Sequence, residues 1–521
     1  MTTEHKQNGL SRRGLLKGAT ALGAAGLILP ASMRPASAQA KKGGTLRVAI
    51  TGGSTTDSLD PATWQELYVQ VFGNARCNYL TEIAADGSLV GELAESWEAS
   101  DDVATWRFKL RAGVTFHSGK SLTTEDVIAS INHHRGEDTK SAAKPIVAPI
   151  TNITAEGDTV IFTLEGGNAD FPFIMSDYHL PILPVVDGTF DATTTDGTGA
   201  YIIDTWEAGV VAKLKRNPNY WKADRGHFDA VELYSILDSA ARQNALITGE
   251  VDVVDKVDLN TVALLARTPG VKILPVTGSQ HFVFAMDMRS GPFNDNNVRL
   301  ALKYAIDRQE MVDKILSGYG SVGNDHPIGP SDQFYAADLE QHAYDPDKAK
   351  FYMKEAGLDS LTVDLSVADA AFVGAVDSGV LYSETAAAAG ITINVIREPN
   401  DGYWDNVWLK KPWCASYWGG RPTADQMFST AYAPGAPWNE TFFDNARFNE
   451  LLLAARSEVD TEIRRGMYHE MQMICQKEGG TVTPMFASYV MAHADKVQTP
   501  EKVAANWGLD GFRCCERWWF A

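Results

Sequence analysis

Three sets of residues in this sequence are of types that do chemistry, and spacing tests each of them. Cys514 and Cys515 are adjacent thiols of the kind that hold soft metals or cycle to a disulfide, but they lack CxxC spacing and a histidine cluster. His133 and His134 are also adjacent, and neighbours on a helix point to different faces, whereas a chelating pair needs i, i+3 or i, i+4 spacing. His117 has the side chain of a general base, yet nothing nearby completes a Ser/His/Asp or metal-spaced set. GxSxG, HExxH and phosphate-loop motifs are absent as well. Nucleophilic, metal-assisted and phosphoryl-transfer chemistry are therefore not expected, no cofactor or metal is called for, and the chain reads as a non-enzyme.

Stepping up to the elements that position side chains, 521 residues with 45% apolar content are too many for one compact core and imply two or three units. The net charge of −20 is spread along the chain, so nucleic acid, which needs a clustered basic surface, is not an expected partner. Residues 1–40 read as an address. Ser11-Arg12-Arg13-Gly14-Leu15-Leu16-Lys17 precedes a short apolar run from Ala19 to Leu29, and Ala36-Ser37-Ala38 and Ala38-Gln39-Ala40 offer small-residue cleavage sites. The combination resembles a twin-arginine (Tat) export signal, with a Sec signal carrying paired arginines as the alternative. Either one places the mature chain outside the cytoplasm. No later segment approaches the ~18 apolar residues of a membrane span, so the mature chain should be soluble. Five cysteines, Cys77, Cys414, Cys475, Cys514 and Cys515, make no disulfide framework, and their odd number leaves at least one thiol unpaired within a monomer.

Alternation predicts strands at Thr45–Ile50, at Thr105–Leu110 and around Val160, Phe162 and Leu164, all read as antiparallel pieces of sheet. Helices are predicted where their ends are readable. One is capped by Asp345, has Pro346 in its first turn, buries Ala349, Tyr352, Met353 and Ala356, and stops at Gly357. A second starts at Asp460, puts Ile463, Met467, Met471 and Ile474 on one face and ends at Gly479-Gly480. A third runs through Val298, Leu302, Ala305, Val312, Ile315 and Leu316 to Gly318. Strands mixed with helices indicate an α/β or α+β architecture.

Several segments resemble the peptide-binding group (family 5, cluster C) of periplasmic receptors, which includes oligopeptide- and dipeptide-binding proteins. The most specific runs from Leu93-Ala94-Glu95-Ser96-Trp97-Glu98 through Trp106-Arg107-Phe108-Lys109-Leu110-Arg111-Ala112-Gly113-Val114-Thr115-Phe116-His117-Ser118-Gly119 to Thr124-Glu125-Asp126-Val127. Gly197-Thr198-Gly199-Ala200-Tyr201, Asn217-Pro218-Asn219-Tyr220-Trp221, Pro292-Phe293-Asn294-Asp295 with Val298-Arg299, and Tyr344-Asp345-Pro346 follow in the same order. The resemblance implies an α/β, periplasmic-binding-protein type II-like two-lobe fold with an extra subdomain inserted in the first lobe. Lobe one is placed at 41–86, 201–285 and 486–521, the insert at 87–200 and lobe two at 286–485. It implies a monomer in the periplasm that closes by a hinge on a small molecule or peptide and delivers it to an ABC permease and ATPase complex. Receptors of the same fold for an opine, a sugar or a nickel complex, and a sensory ligand-presenting protein, are the alternatives.

In that family a segment of lobe two contacts the ligand, often with an acid that pairs with a peptide's α-ammonium group. The matching stretch is Trp413-Cys414-Ala415-Ser416-Tyr417-Trp418-Gly419-Gly420-Arg421-Pro422-Thr423-Ala424-Asp425, where Ser416 stands in the acid's place. Tyr417 and Trp418 supply covering rings, Gly419 and Gly420 allow close backbone approach, and Arg421 offers a guanidinium suited to a carboxylate. Asp425 is the candidate ammonium partner. Trp64 and Tyr68, after the Asp60-Pro61 turn, are candidates from lobe one, and Asp287 is a candidate near the hinge. The pocket reading is a short peptide or related amino-acid derivative.

Overall fold

The computed structural model describes residues 41–400 and 402–521, so the expected export signal lies outside the described residues. An eleven-stranded mixed sheet organises the chain. Its strands are β1 (Thr45–Ile50), β2 (Tyr201–Glu207), β3 (Val211–Arg216), β4 (Ala230–Ser235), β5 (Val253–Val254), β6 (Val271–Met286), β7 (Gly320–Val322), β8 (Leu361–Val367), β9 (Ile391–Arg397), β10 (Trp413–Trp418) and β11 (Thr481–Ala494). The order across the sheet is β2-β3-β4-β1-β5-β11-β6-β10-β8-β9, with β7 added to β11.

β1 forms as alternation predicts but pairs differently. It is parallel to both β4 and β5, and Ala49 is buried along with Leu46, Val48 and Ile50. Strands between parallel neighbours are covered on both faces, so the half-buried, antiparallel expectation fails here. It holds for Thr105–Leu110 and Thr159–Leu164, which pair antiparallel in a separate four-stranded sheet completed by Ala94–Ala99 and Ile150–Glu156. That sheet has its own apolar core, in which Phe162 and Phe171 pack around Phe108. The helix Thr124–His133 closes it, started by a capping box between Thr123 and Asp126.

The two long strands β6 and β11 run through the centre of the sheet. Val271–Thr277 pairs with Ser488–Ala494, and from His281 onward β6 pairs with both β10 and the first half of β11. Between Thr277 and His281 the register breaks, and β6 carries two more residues than its partner. On one side of this break lie β1, β4 and β5; on the other lie β8, β9 and β10, which are parallel to one another. β5 is antiparallel to β11 and β10 is antiparallel to β6, so the carboxyl ends of both parallel sets point toward the break. In open α/β sheets ligands bind outside the carboxyl ends of the strands, and this topology aims two such edges at each other.

The capped helix forms as Pro346–Glu355, with Asp345 accepting from the Lys348 amide and Gly357 at φ 73°. The third predicted face is two helices, Asn296–Tyr304 and Arg308–Ile315, because Asp307 turns the chain and caps the second. The helix Thr461–Glu478 starts and ends as predicted and buries Met471 and Ile474, but its first turn departs from the predicted face. Ile463 is 51% exposed, while Arg464 and Tyr468 are buried. Arg464 lies inside because it meets Asp170 of the four-stranded unit at 2.8 Å, a partner that periodicity does not reveal. All five cysteines are unpaired and buried. Among the described residues no helix is long and apolar enough to cross a membrane.

Candidate functional site

The break between the two halves of the sheet opens into a crevice of about 640 Å³. One wall carries Ser279, Ser331, Arg421 and Pro422, and the other carries Phe173, Ala505 and Asn506. A second cavity, of about 610 Å³, lies at the carboxyl ends of β1 and β5 and is lined by Gly52, Glu66, Gln70, Asp255, Tyr489 and Trp507. Asn506 and Trp507 make the two cavities neighbours, and the Tyr489 hydroxyl donates to the Asn506 carbonyl at 3.4 Å.

Arg421 stands three residues beyond the end of β10, after Gly419 and Gly420, and lines the crevice. Its Nη1 donates to the Gly419 carbonyl at 3.1 Å, and its guanidinium carbon lies 5.9 Å from the Trp418 ring centre. Among the described residues no carboxylate forms an ion pair with it. Burial pulls its pKa down, opposed by Tyr178, Asp177, Tyr417 and Tyr489. A desolvated guanidinium whose donors have found little besides a backbone carbonyl is prepared for an anion. Gly420 permits the approach of the walls: a Cβ there would stand 3.2 Å from the Asn506 carbonyl oxygen and 3.3 Å from the Ser279 side chain. At Gly419 the nearest atom would be 3.8 Å away, so space does not demand glycine there.

The other expected residues are distributed unevenly. Trp418 is 5% exposed and Tyr417 is 43% exposed, with Trp404 against the Tyr417 ring at 5.7 Å. Asp425 lies in the first turn of the helix Ala424–Ala431, where Arg456 holds it at 3.1 Å. Burial raises its carboxyl pKa, Arg456 lowers it, and it does not line the crevice. Trp64 is fully buried, donates its indole N–H to the Ser58 carbonyl at 3.0 Å and packs on Gly73. Tyr68 is also fully buried, and Asp57 adds to the burial that pushes its phenol up. These two hold the helix Leu67–Arg76 in place, while Glu66 and Gln70 beside them reach the second cavity. Asp287 follows β6 next to the amino end of β10, paired with Arg289 at 2.8 Å. Five residue steps of strand, about 17 Å, separate it from the carboxyl end that carries Arg421.

Sequence reasoning missed Ser279 and Asn506 from the crevice walls, and Tyr489 and Trp507 from the second cavity beside it. Gly278 inside a long strand pattern is the usable signal, since an isolated glycine there marks a bulge or a close approach. It also missed Glu440, a buried acid that accepts the indole N–H of Trp418 at 2.7 Å. Of the histidines, His117 meets the Gly199 carbonyl at 3.0 Å, His133 meets Asp60 at 2.8 Å, and His134 meets Ser141 at 2.6 Å. Glu82, Glu92 and Glu516 converge in a way that suggests a cation site. Lys222 contacts all three at 2.6–2.9 Å, and Arg513 and Arg517 add further pairs, so the protein's own cations neutralise the cluster.

Comparison with known proteins accounts for this arrangement. The glutathione-binding protein GsiB of Salmonella typhimurium is 24% identical over 465 residues, covering 86% of this chain and 90% of that protein. Among solved structures, HbpA2 from Haemophilus parasuis superposes with a TM-score of 0.79 at 21% identity, covering 89% of this chain and 99% of that one. The periplasmic binding protein DppA from Helicobacter pylori, in complex with the peptide STSA, gives a TM-score of 0.72 at 22% identity and covers 92% and 98%. Both share the type II periplasmic-binding-protein fold with this chain. The sequence profile described as "Bacterial extracellular solute-binding proteins, family 5 Middle" matches residues 88–440, well over half of the chain. The protein belongs to the family 5 extracellular solute-binding proteins of bacteria.

Proposed function

We propose that this protein is the periplasmic substrate-binding component of an ABC importer, capturing a short peptide or related amino-acid derivative in the crevice and delivering it to the permease and ATPase complex. The observation that carries the ligand class is Arg421, a half-buried guanidinium on the crevice wall that forms no ion pair with a carboxylate of the described residues. A ligand carboxylate meets it, Trp418 backs it, and Tyr417, Gly419 and Gly420 shape the wall around it. The names of the glutathione-binding relatives and the peptide in the DppA complex support a short peptide. Lobe one is 41–86, 201–285 and 486–521, lobe two is 286–485, and 87–200 is the insert; the two chain crossings between the lobes form the hinge, close to the register break between Thr277 and His281. The protein acts as a monomer without catalysis, after Tat export directed by residues 1–40.

The test is a thermal-shift screen of the mature, ligand-stripped protein against di- to pentapeptides, opines, sugars and chelated nickel, since binding to the native state raises its melting temperature. Saturable shifts with peptides are expected. A shift confined to opines, sugars or nickel overturns the peptide assignment and keeps the receptor class.

A further inference from the structure

Behind the aromatic wall lies a carboxylate that solute capture does not itself use. Glu440 is 6% exposed. Its Oε1 accepts the indole N–H of Trp418 at 2.7 Å, its Oε2 accepts that of Trp408 at 2.6 Å, and the Ser416 hydroxyl also reaches it. No cation pairs with it among the described residues. Removing a carboxylate from water without a counter-charge is costly, and here hydrogen bonds to the charged form provide the compensation. Burial raises the Glu440 pKa, and the two indoles and Ser416 pull it back. The two tryptophans connect this acid to the site. Trp418 lies under the Arg421 guanidinium, and Trp408 touches Trp404, which packs on Tyr417.

We propose that Glu440 is a positioning residue: its two indole hydrogen bonds fix Trp418 and Trp408, and with them the Gly419-Gly420-Arg421 turn that faces the solute. The link to binding rests on the function proposed above; the hydrogen bonding does not. An indole N–H only donates, so two indoles converging on one side chain need two acceptor oxygens. An ionised carboxylate supplies both. Glutamine supplies one oxygen and one NH₂ group, which leaves an indole N–H facing another donor, and a protonated carboxyl has a similar defect. The titratable groups around Glu440 are Tyr403 from the helix Tyr403–Asn406, Cys414 from β10 and Tyr432 after the helix Ala424–Ala431. Burial pushes all three up and keeps them neutral, and the other carboxylate acting on Tyr403 and Cys414 is Glu398, which follows β9 and accepts the Ser366 hydroxyl instead of an indole.

The test uses the ligand-free mature protein, with the two indole N–H resonances assigned by Trp408→Phe and Trp418→Phe. Glu440→Gln is expected to shift at least one of them and to speed hydrogen exchange at the Gly420 and Arg421 amides about tenfold or more. In a Trp408→Phe background the glutamine oxygen serves Trp418 alone, and the same substitution is expected to change exchange by less than about twofold. Unchanged resonances, or an equal loss in both backgrounds, overturns the proposal. If Glu440→Gln does not fold, the wild-type titration decides. Both indole signals are expected to move together with a midpoint above the ordinary glutamate range, and signals fixed between about pH 4 and pH 8 overturn the proposal. No solute enters this experiment, so its failure and that of the proposed function are read separately.

Discussion

Replacing Arg421 by methionine separates the needs of the ligand from those of the fold. Methionine keeps most of the apolar stem, but removes the guanidinium that lies 5.9 Å from the Trp418 ring centre and donates to the Gly419 and Gly420 carbonyls at 3.1 and 3.4 Å. Among the described residues no acid loses a partner, so the substitution leaves no buried counter-charge behind. Stability of the ligand-free protein is therefore expected to stay the same or rise, as it does when a desolvated charge is replaced by an apolar group. Binding behaves oppositely. A charge-assisted hydrogen bond in a partly desolvated site contributes about 1.5–3 kcal/mol, which raises the Kd for a peptide with a free carboxylate about 10- to 150-fold. Titration calorimetry with the tightest peptide and its C-terminal amide, on both proteins, gives the four affinities required. Wild type should prefer the acid, and the variant should lose that preference. An R421M protein that still discriminates acid from amide by the wild-type ratio refutes the assignment. So does one whose melting temperature drops as far as its affinity, since that places Arg421 in the fold instead of the site.

Three further outcomes follow from the same geometry. Asp170→Ala leaves Arg464 buried without its 2.8 Å partner, and breaking such a pair from one side costs about 3–5 kcal/mol, measurable by urea unfolding. Gly420→Ala puts a Cβ 3.2 Å from the Asn506 carbonyl oxygen and should weaken solute binding more than Gly419→Ala; equal effects contradict the close approach. Stability should fall on acidification, in two windows. His134, His281 and His326 are each held down to about 4, chiefly by burial, so their contribution is complete above the unfolded pKa of 6.5 and is lost as pH falls toward 4. Glu516 would be raised by burial, but Lys222, Arg513 and Arg225 outweigh this and bring it to about 2, so its contribution is complete above 4.5 and is lost as pH falls toward 2. Urea midpoints that stay flat between pH 7 and pH 4 contradict the first window.

What could be read from the sequence follows the range of the interactions involved. The helix Pro346–Glu355 was legible because its cap, its Pro346 and its terminal glycine are local. Two strands of the four-stranded unit, Thr105–Leu110 and Thr159–Leu164, are legible because they alternate against one core. β1 was misread because parallel pairing on both sides buries Ala49, and residues 296–315 were read as one helix because their periodicity continues through the turn capped by Asp307. The burial of Arg464 has no local signal, because its partner Asp170 stands 294 positions away. The site was half legible for the same reason. Arg421 and its aromatic neighbours are contiguous in sequence, whereas Ala505 and Asn506 reach the opposite wall from near the end of the chain. Trp64 and Tyr68 alternate along the chain with Glu66 and Gln70, which do line a cavity, and nothing in the local sequence tells the two pairs apart.

Hydrogen exchange measured along the mature protein, with and without a mixture of di- to pentapeptides, tests capture in the crevice most directly. Peptides are expected to slow exchange together at the Gly419–Arg421 turn and at Asn506 on the facing wall. Protection confined to one wall, or placed elsewhere while both walls exchange as in the free protein, contradicts it.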